Sequence, residues 1–124
     1  MSAVVTFTTP PPGLSPLLHF DLEAVADSDG LYTLRALDAP DVRLFVIDAP
    51  LYLPDYNPEV TLGQLESIGA STPSQVRVLV VATMADTGPA ANLMAPILVN
   101  ESNGDATQII LEGDQWPLRM PLGA

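Results

Sequence analysis

The chain has 124 residues, 48% of them hydrophobic and only 15% charged, a balance that supports one folded core and excludes a disordered polymer. Fifteen acids oppose four arginines (Arg35, Arg43, Arg77 and Arg119) with no lysine, and the net charge of −11 argues against direct contact with nucleic acid or an anionic membrane. Cysteine is absent, which rules out disulfides, thiolate metal sites and a thiol nucleophile, and fits a reducing cytoplasm.

No signal peptide is expected, because the N-terminus lacks a positive region and Pro10, Pro11, Pro12 and Pro16 interrupt any apolar stretch. The longest wholly apolar run, Val78 to Ala82, is far too short for a membrane span. Thirteen prolines favour short strands and turns over long helices. Ala3 to Thr8 alternates as a first strand, and Pro10 to Gly13 forms a rigid turn. Leu17 to Val25 reads as an extended segment or edge strand, closed by the turn Asp27-Ser28-Asp29-Gly30. Leu31 to Leu37 is the next strand, with Leu31, Thr33 and Arg35 opposed to Tyr32, Leu34 and Ala36. After a turn at Asp38 to Asp41, the near-continuous apolar run Val42 to Ile47 predicts a strand buried on both faces. Asp48 to Pro58 is too rich in prolines and turn residues for regular structure.

One helix is predicted after Thr61, which caps it, with Gln64 completing a capping box, Leu62, Leu65 and Ile68 on one face and Gly69 at its end. Val76 to Ala82 is the strongest strand signal. Met84 to Ala91 reads as a loop, Ile97 to Val99 as a strand, Ser102 to Asp105 as a turn and Thr107 to Glu112 as a strand. The apolar tail at Trp116 to Arg119 packs back on the body. The pattern predicts a mainly β chain: a small single-domain β-barrel-like fold with one or two short helices, spanning 1–124.

Chemistry-bearing patterns are sparse. His19 is the single histidine, it stands between Leu18 and Phe20, and no serine elbow accompanies it. Asp38, Asp41 and Asp48 lack the spacing of a calcium loop, and glycine-rich phosphate loops are missing. No cofactor, metal or catalytic residue is therefore expected. Arg77 and Arg119, set among apolar residues, read as internal partners of carboxylates. Tyr52, Asp55 and Tyr56 stand in a proline-bounded loop between Asp48 and Glu59. Rigid amphipathic tyrosines suit a partner surface, so these five residues are the candidate partner-binding set. Their acid-rich surroundings also admit a small β-barrel enzyme with an Asp48/Asp55 site, and a generic interaction domain is the third reading.

Asn92-Leu93-Met94-Ala95-Pro96-Ile97-Leu98-Val99-Asn100 is the most distinctive run. Pro96 biases Ala95 toward extended geometry, and the amides of Asn92 and Asn100 suit turns. It resembles the Asn-Leu-x-Ala-Pro-Ile-x-Val-Asn signature of the flagellar assembly factor FliW family. Val4 to Phe7 followed by Pro12-Gly13-Leu14, Leu34 to Leu37 before Val42 to Ile47, Pro54-Asp55-Tyr56, Gln108 to Leu111 and Trp116 to Arg119 resemble further segments of that family in the same order. Asn92, Ala95, Pro96, Asn100 and Gln108 are family-motif positions whose expected role is structural. The resemblance implies a non-enzymatic cytoplasmic protein that binds flagellin as a chaperone. It also implies binding to CsrA, an RNA-binding translational regulator, whose repression of flagellin synthesis is relieved when flagellin leaves the cell. An acidic surface agrees with a basic partner and with the absence of nucleic-acid or membrane contact.

Overall fold

Period-two alternation decides which side of each strand turns inward. The computed structural model describes residues 2–9, 11, 14–85, 88–113 and 116–122. β1 (Ser2–Phe7) contributes Val5 and Phe7 to the interior, β2 (His19–Ala24) Phe20 and Leu22, β3 (Leu31–Ala36) Leu34 and Ala36, and β4 (Arg43–Asp48) Val46. The short helices α1 (Ala49–Tyr52) and α2 (Leu62–Glu66) follow. β5 (Val76–Ala85) adds Leu79, β6 (Gly88–Ala91) returns as a hairpin, β7 (Ile97–Asn100) adds Ile97 and Val99, and β8 (Asp105–Gln108) adds Ala106. Phe7 and Phe20 meet edge to face at the centre, their ring centroids 5.3 Å apart.

The strands close into a barrel in the order β1-β2-β3-β4-β5-β7-β8 and back to β1. The last contact is the one parallel pairing among the described residues, Thr6 against Asp105 and Phe7 against Ala106. β6 prolongs the edge of β5 beyond β7, and the two-residue β9 (Met120–Pro121) pairs with β6. A β-barrel with two short helices is thus the fold expected from the sequence.

Two further apolar clusters lie outside this wall. Ile47, Ala49, Val80, Ala91 and Leu93 pack beneath Leu53, Tyr56, Trp116 and Leu122, so α1 and the tail cover the outer side of β4 and β5. Leu65, Ile68 and Ala70 pack with Leu98 and Ile109, so α2 covers β7. The α2 start carries the predicted capping box: Thr61 Oγ1 accepts from the Gln64 amide at 3.1 Å and the Thr61 amide donates to Gln64 Oε1 at 2.8 Å. Leu62 departs from the predicted apolar face and is 61% exposed, because the short helix buries Leu65 alone and Ile68 packs just beyond its end.

Several local expectations change. β2 is an inner strand of the sheet between β1 and β3 rather than an edge. Only the far end of β4 is covered on both faces, leaving Arg43 and Phe45 exposed. Asp48 to Pro58 holds a helix, started with Pro50 in its first turn, where proline's missing N–H costs nothing. Met84 to Ala91 belongs largely to the β5–β6 hairpin. β8 begins earlier than predicted, at Asp105, and ends at Gln108. The turn expected at Pro10 to Gly13 lies outside the described residues except for Pro11. Arg77 lies with its guanidinium 4.9 Å from the Tyr32 ring centroid and 4.0 Å from a Glu101 carboxylate oxygen, whereas Arg119 is exposed and forms no ion pair among the described residues.

Two glycines, Gly63 within α2 and Gly69 just past its end, have opposite demands. Gly69 has φ +74°, and an added Cβ would lie 2.9 Å from Asn103 Nδ2, whereas a Cβ on Gly63 meets nothing closer than 4.0 Å. Gly69→Ala is expected to cost about 1–2 kcal/mol through left-handed strain and displacement of that amide. Gly63→Ala is expected to gain about 0.5–1 kcal/mol. Urea denaturation of the two variants checks the opposite signs.

Candidate partner-binding surface

The distinctive Asn92–Pro96 segment is an excursion from a strand edge. Ala82 of β5 faces Ala91 and Leu79 faces Ile97, so two residues of β5 are opposed by five on the other side. Such a loop must satisfy its own backbone. Asn92 Oδ1 accepts from the Met94 amide at 3.0 Å, and the Asn92 amide donates to Val81 O at 2.9 Å. Gln108 Nε2 donates to Ala95 O at 3.0 Å, the Tyr56 hydroxyl donates to Leu93 O at 2.6 Å, and the Ile109 and Leu111 amides donate to Pro96 O and Met94 O. Buried Ala95 and Pro96 sit among these bonds. Asn100, 2% exposed, donates from Nδ2 to Ile68 O at 2.8 Å and accepts at Oδ1 from the Ser102 amide and hydroxyl, tying α2 to the turn after β7.

The excursion places Leu93 beneath the Tyr52–Tyr56 loop. Tyr52, Leu53, Pro54, Asp55, Tyr56, Leu93, Trp116, Met120 and Pro121 line a largely apolar groove of about 290 Å³. Trp116 stands edge-on to Tyr56, centroids 4.8 Å apart, and forms a ridge. On its other side lies a more polar groove of about 340 Å³ lined by Glu59, Thr61, Gln64, Ile110, Leu111, Glu112 and Trp116. Ile110 in this groove and Tyr52 and Met120 in the first are exposed. Clustered exposed apolar side chains with acidic neighbours can bury area against a partner and reject anionic ones.

The structure therefore brings Tyr52, Asp55 and Tyr56 together in one groove and puts Glu59 across the Trp116 ridge in the other. Asp48 belongs to neither lining; it is half-buried at the start of α1, where its amide donates to Gly30 O at 2.8 Å. The two tyrosines also differ. Tyr52 is 41% exposed and donates to Asp29 O at 2.8 Å, while the Tyr56 phenol is half-buried, and desolvation raises its pKa well above the ordinary 10.0. Gly30, φ +77°, lets α1 lie against the β2–β3 turn, since a Cβ there would meet Leu51 Cδ2 at 2.5 Å. Sequence reasoning missed Leu93, Trp116, Met120, Pro121, Ile110 and Glu112 as groove residues. The aromatic in an apolar tail predicted to pack back was the available signal for Trp116. Among the described residues no group of three His, Cys, Asp or Glu side chains is arranged to hold a metal ion. His19 is exposed, with Nδ1 3.3 Å from Thr6 Oγ1. No helix is long and apolar enough to cross a membrane among the described residues.

The profile of the family described as FliW protein matches residues 1–122. The chain belongs to the FliW family. Proteins named flagellar assembly factor FliW are similar to it at 34% identity in Treponema pallidum, over 67% of this chain and 57% of that protein. In Thermotoga petrophila the identity is 32% over 94% and 80%, and in Heliobacterium modesticaldum 27% over 89% and 73%. The chain thus spans a little over half of the Treponema protein and about three quarters or more of the other two. A crystal structure of the flagellar assembly factor FliW shares the fold, with a TM-score of 0.87 at 24% identity over 95% of this chain and 84% of that one.

Tyr56 gives a direct test of how the FliW-family groove is held. Tyr56→Phe strands Leu93 O and is expected to cost about 1–2 kcal/mol, whereas Tyr52→Phe, at an exposed bond, is expected to change stability by under about 0.5 kcal/mol. Because folding raises the Tyr56 pKa, its neutral form is favoured in the native state. That contribution is fully present below pH 10.0 and is lost as pH rises toward the folded-state value. Alkaline denaturation curves should be shallower for Tyr56→Phe than for the parent.

Proposed function

We propose that this chain is a cytoplasmic flagellar assembly factor that binds flagellin as a chaperone and, when flagellin is scarce, binds and antagonises the translational regulator CsrA. The observation that carries the reading is the family match over residues 1–122. The relatives carry the name flagellar assembly factor. The chemistry of the surface supports a protein-binding role: two adjoining grooves with exposed Tyr52, Met120 and Ile110 offer apolar area, and Asp55, Glu59 and Glu112 set its charge. A protein that binds RNA presents basic side chains, and a chain of net charge −11 attracts them while repelling the RNA itself.

A non-enzymatic mechanism needs only competition by mass action. Bound flagellin withholds the protein from CsrA, and its export frees the surface, so the amount of translational repressor in action follows the amount of flagellin retained. Tyrosine, tryptophan and methionine beside a polar rim suit such exchange, because they supply contact area on a fixed scaffold while the acids govern encounter rate.

Titration calorimetry with purified flagellin and, separately, CsrA from the same genome tests the reading. Binding to each is expected, with CsrA affinity falling as salt rises from low to moderate concentration. Glu59→Gln combined with Glu112→Gln is expected to weaken CsrA binding and flatten that salt dependence. Silence with both partners overturns the reading; binding to flagellin alone leaves the chaperone half standing and removes the translational switch.

A further inference from the structure

α1, α2 and the tail cover the barrel on the side of β4's end, β5 and β7, and leave the outer face of β2, β3 and β4's start open. On that open face two of the chain's four cations stand directly opposite each other, Arg35 on β3 and Arg43 on β4. The Ala36 amide donates to Val42 O at 3.0 Å, which makes Ala36–Val42 a hydrogen-bonded pair. The adjacent Arg35–Arg43 pair is then the closer, non-bonded kind, with Cα atoms about 4.5 Å apart. Like charges so placed repel and weaken the sheet. In a chain with fifteen acids, nothing about solubility calls for this juxtaposition.

Intramolecular partners do not account for it. Asp21 faces Arg35 from β2, and Glu23 lies one outward row further along that strand. Yet among the described residues the one ion pair within 4.0 Å is Arg77–Glu101, so no described carboxylate engages either guanidinium of the pair. Arg43 is instead held over the Phe45 ring, 5.3 Å from its centroid. Phe45 is 41% exposed, and Val4, in the same cross-strand row as Asp21, Arg35 and Arg43, is 56% exposed. Two unpaired planar forks beside an exposed aromatic ring form the combination that interface hot spots favour, and the fork geometry matches carboxylates.

We infer that this open face is a second docking surface, centred on Arg35, Arg43 and Phe45, for a carboxylate-bearing segment of a protein partner. A nucleic acid is disfavoured as the occupant because the whole chain repels a polyanion, whereas one or two carboxylates pay only the local field. The identity of the partner rests on the proposed function: of its two partners, CsrA presents basic side chains and is repelled by this pair, which leaves flagellin. The acidic grooves around Trp116 and this arginine face then sort partners by charge on different sides of the barrel.

The test is calorimetry of flagellin and CsrA against the parent, R35Q/R43Q, R35E/R43E and F45A, with thermal unfolding of each variant. Flagellin affinity should fall by about tenfold or more in R35E/R43E and by less in R35Q/R43Q and F45A, while CsrA affinity holds or rises. Thermal midpoints of R35Q/R43Q should be unchanged or higher, since a repulsion has been removed. Flagellin affinities within about twofold of the parent in every folded variant overturn the surface and leave the proposed function intact. A parent protein that binds CsrA but no flagellin overturns both this assignment and the flagellin half of that function. Equal losses for both partners in R35E/R43E, with F45A and R35Q/R43Q normal, also overturn it, because they mark a general disturbance of the sheet.

Discussion

The ten residues of β5 hold three neighbouring strands at once, and the rest of the molecule is arranged around that fact. One edge takes β4, from Leu79 to Ala82, and closes the barrel. The other edge takes β7 from Val76 to Leu79 and β6 from Ala82 to Ala85. A strand paired on both edges at Leu79 and Ala82 cannot slip without breaking ladders on each side, and a one-residue slip would turn its inward Leu79 outward. The outward positions of the same strand, Val78 and Val80, are apolar as well, so β5 requires cover on its outer face. The short helices and the tail exist in the places where that cover is needed.

The need for cover explains the Asn92–Pro96 excursion. The five residues Asn92 to Pro96 carry five carbonyls and four amides, proline having none; the Asn92 amide stays on β5 at Val81 O, and the loop turns the carbonyls of Leu93 to Pro96 toward side chains and distant backbone. Gln108 takes Ala95 O, Tyr56 takes Leu93 O, and Pro117 O takes the Leu93 amide, so three separate segments are fastened to one loop. Each fastening also places a surface residue: Tyr56 sets the floor of the apolar groove, and Pro117 brings Trp116 onto Tyr56 as the ridge between the grooves. The best-matching family motif is thus joined by hydrogen bonds to the groove rather than forming most of its lining, of which it supplies Leu93 alone.

Much of this was readable from local chemistry, and the failures have physical causes. The α2 capping box, the strands around Phe20, Leu34 and Val80 and the returning tail follow from patterns confined to a few residues. α1 was not readable, because a one-turn helix carries no periodicity and its Ala-Pro-Leu-Tyr sequence is turn-like in isolation; packing of Ala49 beneath the tail stabilises it. β6 escaped notice because Gly-Pro-Ala-Ala has little strand propensity, and pairing with β5 overrides it. Tyr52 and Tyr56 were equivalent in sequence, both flanked by prolines and acids. Only the fold, by bringing Leu93 O within reach of one hydroxyl, gives them different work. Asp48 was grouped with the groove by proximity along the chain, which α1 then turns to a separate position.

Cover on one side of a closed barrel also divides the surface into two kinds. Where α1, α2 and the tail lie, apolar residues form a second layer, and imperfect filling between its pieces leaves grooves with acidic lips. Where the sheet is bare, alternation alone must provide a wettable face, so β2, β3 and β4 turn Asp21, Glu23, Thr33, Arg35 and Arg43 outward. A bare antiparallel face needs polar residues but does not dictate their sign. Interspersed opposite charges would satisfy it with mutual attraction, as Asp21 opposite Arg35 illustrates. The neighbouring Arg35–Arg43 position repels instead, and Phe45 at the next outward position of β4 leaves a ring where a hydroxyl or carboxylate would be easier to hydrate. Folding and solubility therefore account for the acidic excess and for the covered half, and they do not by themselves call for two arginines facing each other beside an exposed ring.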